Sequence, residues 1–123
     1  MRIVAGQYRG KKLFTPEGKE VRPTSERARE AVFNILNSHL GSDYSAVHLA
    51  DIFAGTGAFG LEALSRGAAS VTLVDKDIWL LSKNVKIFAK EQSKIRIIKA
   101  DALNLPRTGH KFNMVFMDAP YAK

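Results

Sequence analysis

Gly55, Gly57 and Gly60 are spaced G-x-G-x-x-G immediately after the largely apolar run 48–53. Glycine permits a tight turn and lets a ligand approach the main chain closely, and a helix starting there offers unpaired N–H groups. Twenty residues beyond Gly55, Asp75 ends the next apolar run, where its carboxylate can accept hydrogen bonds from ribose hydroxyls. The glycine spacing by itself is weakly specific. Set between a strand and a helix, with Asp75 in register, it reads as a site for a nucleoside-containing cofactor.

A nicotinamide dinucleotide would satisfy the same glycines and the same acid, so a dehydrogenase is one reading. Two further acids favour S-adenosyl-L-methionine. Asp51 lies four residues before Gly55, where it can accept from a free α-amino group, which S-adenosylmethionine has and the dinucleotide lacks. Asp101 ends the third apolar run and is positioned to meet an adenine amine. Thr56 in the turn and Ala102 beside Asp101 complete the expected cofactor set. The plainer alternatives are that Asp51 braces the loop and that Asp101 caps a turn.

The fourth apolar run ends in Asp118-Ala119-Pro120-Tyr121. An exocyclic base amine is a poor nucleophile because its lone pair is delocalised into the ring. The Asp118 carboxylate and the Ala119 carbonyl, accepting its two hydrogens, would concentrate electron density on nitrogen and direct the lone pair at a sulfonium methyl. Pro120 would stiffen the turn and hold Ala119 extended, and Tyr121 could stack on the base, a contact worth roughly 1–3 kcal/mol. The plainer alternative is a polar strand end.

Such residues need a scaffold of alternating strands and helices. Segments 48–53, 71–75, 95–98 and 114–117 are short, nearly continuous apolar runs, the pattern of buried parallel strands. Helices are expected over 61–66, with Gly67 as the stop, and over about 78–90, with Asp77 as cap. Earlier in the chain a helix is expected from Thr24 or Ser25 to Gly41, with Glu26 suiting its dipole and Ala28, Ala31, Val32, Ile35 and Leu36 forming its apolar stripe. Residues before Pro23 read as extended structure with turns, 3–5 and 12–14 being strand-like. The pattern predicts an α/β, Rossmann-like fold with a mostly parallel sheet covered on both faces, divided into a basic N-terminal extension, 1–23, and a core, 24–123. Because a doubly wound sheet ordinarily continues past its fourth strand, C-terminal strands are expected to be missing. The strand 114–117 would then expose an edge through which the chain self-associates.

Composition narrows the chemistry. With 123 residues the chain has length for one domain, and 46% hydrophobic with 25% charged residues is the balance of a water-soluble globule. The absence of cysteine excludes disulfides, thiolate metal sites and cysteine nucleophiles, and the three histidines, His39, His48 and His110, lack ligand spacing. No metal site is expected. No apolar run approaches the roughly 20 residues that cross a bilayer, and the start has no signal-peptide core, so a cytoplasmic protein with no membrane partner is expected. The net charge is +7, with eight basic and four acidic residues within 1–30, a balance suited to a polyanion. Arg2, Arg9, Lys11, Lys12 and Arg22 are the expected phosphate contacts, which makes affinity fall steeply with salt.

The sequence resembles the RsmD-type family of small-subunit ribosomal RNA guanine-N2 methyltransferases along its whole length. The likeness is carried by Arg2-Ile3-Val4-Ala5-Gly6 with Tyr8-Arg9-Gly10, and by 21–34, which reads Val-Arg-Pro-Thr-Ser-Glu-Arg-Ala-Arg-Glu-Ala-Val-Phe-Asn. It continues through Asp51-Ile52-Phe53-Ala54-Gly55-Thr56-Gly57 and Asp118-Ala119-Pro120-Tyr121. The Arg-Pro-Thr stretch discriminates far better than the glycine turn, which most class I methyltransferases share. The resemblance implies a class I S-adenosylmethionine-dependent enzyme acting on the exocyclic N2 of a guanine in small-subunit (16S) ribosomal RNA or the assembling 30S particle. It implies that the glycine loop with Asp75 and Asp101 holds S-adenosylmethionine, that 118–121 hold the guanine amine, and that the basic N-terminal segment faces RNA. The family carries proline where this chain has Ala119; alanine keeps the carbonyl and loosens the turn. Family members also continue into further strands that shape the base pocket, so the alternative is an inactive remnant that binds RNA or S-adenosylmethionine without turnover.

Four smaller features complete the reading. Lys83, Lys86, Lys90 and Lys94 form a solvated stripe, Trp79 is either an adenine neighbour or core, Phe59 is core, and 104–111 is a surface loop.

Overall fold

A computed structural model of the protein describes residues 1–16 and 23–119, the side chains of 23–25 excepted. Strands β1 (His48–Ile52), β2 (Ser70–Asp75), β3 (Ile95–Lys99) and β4 (Met114–Met117) form one parallel sheet in the order β3-β2-β1-β4. The chain runs outward from β1 to β3, then returns to the other side of β1 for β4. Strand order therefore reverses at β1, and in open α/β sheets ligands bind in the crevice beyond the strand ends at such a reversal. Helix α1 (Pro23–Leu40) precedes β1, α2 (Ala58–Ser65) joins β1 to β2 and α3 (Trp79–Lys86) lies between β2 and β3, with 3-10 turns at Ala89–Lys94 and Ala102–Asn104.

The four strands expected between 48 and 117 are all present, and the helices differ from expectation in three ways. Helix α2 begins at Ala58, so Gly60 lies in its first turn. The helix expected over 78–90 ends at Lys86, and a 3-10 turn takes over. The Gln92 side chain donates to the carbonyls of Val85 and Phe88, both at 3.1 Å, supplying partners that a continued helix would have provided. The buried face of α1 is also rotated from the expected stripe. Ala28, Ala31 and Ile35 are exposed, whereas Arg29 and Phe33 are buried. The cause is electrostatic: the Arg29 guanidinium leaves solvent to pair with Glu62 of α2 at 3.2 Å, and it carries its helix face inward.

The expectation of cover on both faces of the sheet is met on one. Leu49, Val71, Leu73, Ile97, Met114 and Phe116 form a single core with residues of all three helices, among them Phe33, Leu61 and Leu81, and with Phe88 just beyond α3. The opposite face carries Ala50, Ile52 and Val74, packed among the described residues against Phe53, Ile98 and residues of the segment leading from β3 to β4. The segment read as a plain surface loop contributes Leu105, Pro106 and Thr108 to a small cavity of about 60 Å³ against that face. Val115 and Met117 pair in register with Ala50 and Ile52, share their face by strand alternation, and remain 59% and 62% exposed. Among the described residues β4 has β1 on one side and no strand on the other.

Residues 1–16 belong to the same core. Ile3 N–H donates to Lys11 O (2.9 Å) and Gly10 N–H to Ile3 O (2.8 Å), with one antiparallel bridge, Arg2 to Lys12, in place of the expected strands. Ile3 and Leu13 are 1% and 6% exposed. Glu62 ties this segment down: its carboxylate accepts from Val4 N–H (2.9 Å) and Ala5 N–H (3.0 Å) while pairing with Arg29 and Arg66. Arg29 in turn donates to the Arg2 carbonyl. Among the described residues no helix is long and apolar enough to cross a membrane.

Candidate functional site

Strand β1 ends in an unusual backbone. Phe53 adopts φ 65°, a left-handed conformation that a residue with a Cβ enters at a cost, and Gly55 follows at φ 58°. The double reversal lets Ala54 N–H donate to Val74 O (2.9 Å) and Gly55 N–H to Asp75 Oδ2 (2.8 Å), stapling the ends of β1 and β2 together.

The three glycines answer three different needs. A Cβ on Gly55 would meet nothing within 4 Å, which leaves its exposed backbone open to a ligand. At Gly57, φ is 86° and a Cβ would approach Leu81 Cδ1 to 2.6 Å; at Gly60 it would approach Leu73 Cδ2 to 2.3 Å. Gly57 and Gly60 are therefore buried packing positions that set α2 and α3 close to the sheet, while Gly55 alone of the three is exposed.

Two adjoining cavities open at the carboxyl ends of the strands. One, of about 390 Å³, is lined by Asp75, Asp101 and Ala102 together with Phe53, Val74 and Ala119. The other, of about 320 Å³, is lined by Asp51, Thr56 and Asp118 together with Phe53, Phe59 and Phe116. Both fall in the size range of small-molecule sites. Phe53 lines both, so its strained backbone sits at their junction. Phe59 stacks on Phe116 with centroids 3.6 Å apart, and on Phe33 at 4.7 Å, giving the second cavity an aromatic wall and Phe59 its expected place in the core.

The acids have structural partners as well as open sides. Asp51, 1% exposed, accepts from Gly60 N–H through Oδ2 at 3.1 Å, so it braces the loop and lines the cavity at once. Burial pushes its carboxyl up to about 7, offset in part by the Gly60 N–H and reinforced by the negative charges of Asp75 and Asp118. Asp75 accepts from Gly55 and Asp77, and Asp101 caps the turn after β3 by accepting from Leu103 N–H at 2.9 Å. A carboxylate oxygen has two acceptor positions, so these bonds leave capacity for a ligand.

Asp118 stands one residue beyond β4, whose register with β1 sets Met117 beside Ile52. It is exposed and Ala119 half-buried; Pro120 and Tyr121 lie outside the described residues, as does Arg22. Arg2, Arg9, Lys11 and Lys12 are exposed. Met1 and Arg29 line the cavity that holds Asp118, so the basic segment begins at its rim. Trp79 fits neither expectation: it is 69% exposed, hence not core, and it does not line the cavity between Asp75 and Asp101.

Two features escaped sequence reasoning. Nothing in the run 48–53 distinguishes Phe53 as the strained residue. Glu62 did leave a signal, as a lone acid in the otherwise apolar or small stretch Ala58–Ser65. An acid set in a helix with no polar face is buried and must be paired.

Comparison with known proteins adds independent findings. The family model described as Conserved hypothetical protein 95 matches residues 1–123. The Ribosomal RNA small subunit methyltransferase D of Escherichia coli (strain K12) is 38% identical over 125 residues, covering 100% of this chain and 61% of that protein. The chain thus spans about six-tenths of the length of this curated relative. The solved structure of yhhF from Escherichia coli superposes with a TM-score of 0.78 at 38% identity, covering 100% of this chain and 66% of the other. A hypothetical protein of Thermus thermophilus gives 0.73 at 30% identity, covering 100% and 71%.

Proposed function

The chain belongs to the family described as Conserved hypothetical protein 95, the RsmD-type family its motifs resemble, and we propose that it transfers a methyl group from S-adenosylmethionine to N2 of a guanine in small-subunit ribosomal RNA. Its fold is the class I methyltransferase fold. One observation carries the reading: Asp51, Thr56 and Asp118 line one cavity, and the cavity that adjoins it through Phe53 is lined by Asp75 and Asp101.

The donor set suits the methyl donor. Asp75 receives ribose hydroxyls, Asp101 the adenine amine, and Asp51 the α-ammonium, while the exposed backbone of Gly55 allows close approach. Held by these residues, S-adenosylmethionine would supply an electrophilic sulfonium methyl for the amine nitrogen, the carbon–sulfur electron pair passing to sulfur. Asp118 and the Ala119 carbonyl accept the two amine hydrogens and keep the lone pair out of the ring. Once methylated the amine is acidic and gives one proton to Asp118 or water, so no strong base is needed. The aromatic wall of Phe59 and Phe116 makes one side of the cavity apolar, which favours a reaction in which positive charge disperses. Arg2, Arg9, Lys11 and Lys12, exposed on the segment that begins at the rim with Met1, contact RNA phosphates.

Asp51 makes cofactor binding depend on pH. Its folded-state value, about 7, lies well above that of an unfolded aspartate, so the carboxyl is protonated in the free protein below that value. A ligand ammonium needs the carboxylate. Binding therefore expels a proton and weakens by up to about tenfold per unit as pH falls below about 7. Calorimetry in buffers of different ionisation enthalpy should show that proton release, and Asp51→Asn should abolish it. A pH-independent affinity in the unsubstituted protein would remove Asp51 from the ammonium site.

The test of function is label transfer. Small ribosomal subunits lacking the modification are incubated with the chain and methyl-labelled S-adenosylmethionine, and their RNA is digested to nucleosides. Label in N2-methylguanosine is expected. Cofactor binding without transfer would select the inactive binder, label on another base atom would remove the guanine-N2 assignment, and binding of a nicotinamide dinucleotide in its place would select the dehydrogenase.

A further inference from the structure

Phe14 and Trp79 are 48% and 69% exposed although they are among the largest apolar side chains in the molecule. They meet at one place. The Lys83 ammonium lies 4.4 Å from the centroid of the Phe14 ring and 4.8 Å from that of Trp79, clasped between the two faces by cation–π attraction. The frame beneath is rigid. Asn84, fully buried, accepts from Phe14 N–H at 2.7 Å and donates to the Phe14 carbonyl at 3.0 Å. The same amide donates to the Thr56 carbonyl at 2.8 Å, so Phe14 is tied through Asn84 to the glycine turn. At the other end, Asp77 Oδ1 accepts from the Trp79 main-chain N–H at 3.1 Å, fixing the start of α3. Lys12 shares the exposed side of the segment with Phe14, the intervening Leu13 being buried.

Neither core packing nor the cofactor cavity uses this pair. An exposed indole beside lysines, on a chain of net charge +7, has the chemistry of a stacking platform for an unpaired nucleobase, with cations at hand for the flanking phosphates. We propose that Trp79, supported by Phe14 and Lys83, stacks an unpaired base of the RNA substrate outside the methylation cavity. The proposal rests on the RNA reading above and adds to it a second, non-catalytic base contact. Because the platform and the cofactor site share Asn84 and Thr56 as neighbours, the stacked base registers the strand against the glycine turn.

Trp79 is the only tryptophan in the chain, so its fluorescence reports this site alone. A non-pairing RNA oligomer of about ten nucleotides, within the span such sites hold, should quench it saturably. Trp79→Ala should weaken binding of the same oligomer, followed by anisotropy of a label on the RNA, by about five- to a hundredfold. The substitution should leave binding of inorganic polyphosphate unchanged, and S-adenosylmethionine affinity too. Lys83→Met, which keeps the rings supported, should weaken RNA binding and flatten its salt dependence. Trp79 is too exposed for its removal to unfold the chain, so loss of binding reads on the site. Equal RNA affinity in wild type and Trp79→Ala, absence of quenching, or equal quenching by polyphosphate would overturn the proposal. Emission that shifts with protein concentration and not with RNA would make the patch a protein contact and overturn it as well. Failure of the methylation reading appears separately, as absent label transfer with quenching intact.

Discussion

Glu62→Ala is expected to lower the stability of the chain by about 3–5 kcal/mol, the cost of removing one partner from a buried ion pair. Glu62 is fully buried and holds four groups at once: the guanidinium groups of Arg29 and Arg66, at 3.2 and 2.9 Å, and the amides of Val4 and Ala5. Alanine would leave Arg29, itself 6% exposed, as an uncompensated cation in the core, and two main-chain donors without an acceptor. Against a total stability of about 5–15 kcal/mol for a domain, the loss is large. Thermal unfolding should fall by roughly 15 °C by the size scaling of such transitions. The damage should also be directional. Residues 1–16 are tethered through Glu62, so limited proteolysis should cut near the N-terminus before the sheet is attacked. Glu62→Gln should recover only part of the loss, because its amide group would face donors. A variant as stable as the wild type would mean that the N-terminal segment is held by its other anchors, the buried Ile3 and Leu13 and the bonds to Ser65 and Asn84.

Asp118→Asn is expected to reduce methyl transfer by about 10²–10³-fold, the range for removing one preorganised group that stabilises charge developing in a transition state. Asparagine keeps the size and one acceptor, but its amide donates toward hydrogens that need an acceptor. Asp118 is exposed at a strand end, so folding should change by no more than about 0.5 kcal/mol. A second readout separates this role from a structural one. Asp118 is one of the charges that raise the Asp51 carboxyl, so its neutralisation moves Asp51 downward. Cofactor binding in Asp118→Asn should then persist to lower pH than in the wild type, even as transfer collapses. Full activity in the variant would take Asp118 out of the chemistry.

What could be read from residue order alone follows from how local the underlying physics is. The four strands were legible because buried parallel strands are nearly continuous in apolar residues, and 48–53 or 114–117 need no distant partner to be recognised. The α1 face was misread because Arg29 counts as polar in any periodicity. Its burial depends on Glu62, thirty-three residues away, and no pattern within the helix encodes that pairing. The exposure of β4 on one face was likewise invisible: Val115 and Met117 look as buried as Met114 and Phe116 until register with β1 assigns them sides. At the site, the acids and glycines were found by type and spacing, but their division of labour was not. Gly57 and Gly60 answer to Leu81 and Leu73, contacts that spacing cannot show, and the strain at Phe53 exists only because β1 and β2 are stapled beyond their ends. Trp79 eluded both expectations because Lys83, one turn along the same helix, is shared with Phe14, which the N-terminal segment brings in from far along the chain.

The proposed function requires a methyl donor held between Asp75 and Asp51 with its sulfonium directed at Asp118. A crystal structure of the chain with S-adenosylmethionine measures that arrangement directly. The expected density has ribose on Asp75, the α-ammonium on Asp51 and the methyl group opening toward Asp118 and the Ala119 carbonyl. A donor bound elsewhere on the surface, or bound here with its methyl buried away from Asp118, would contradict the account.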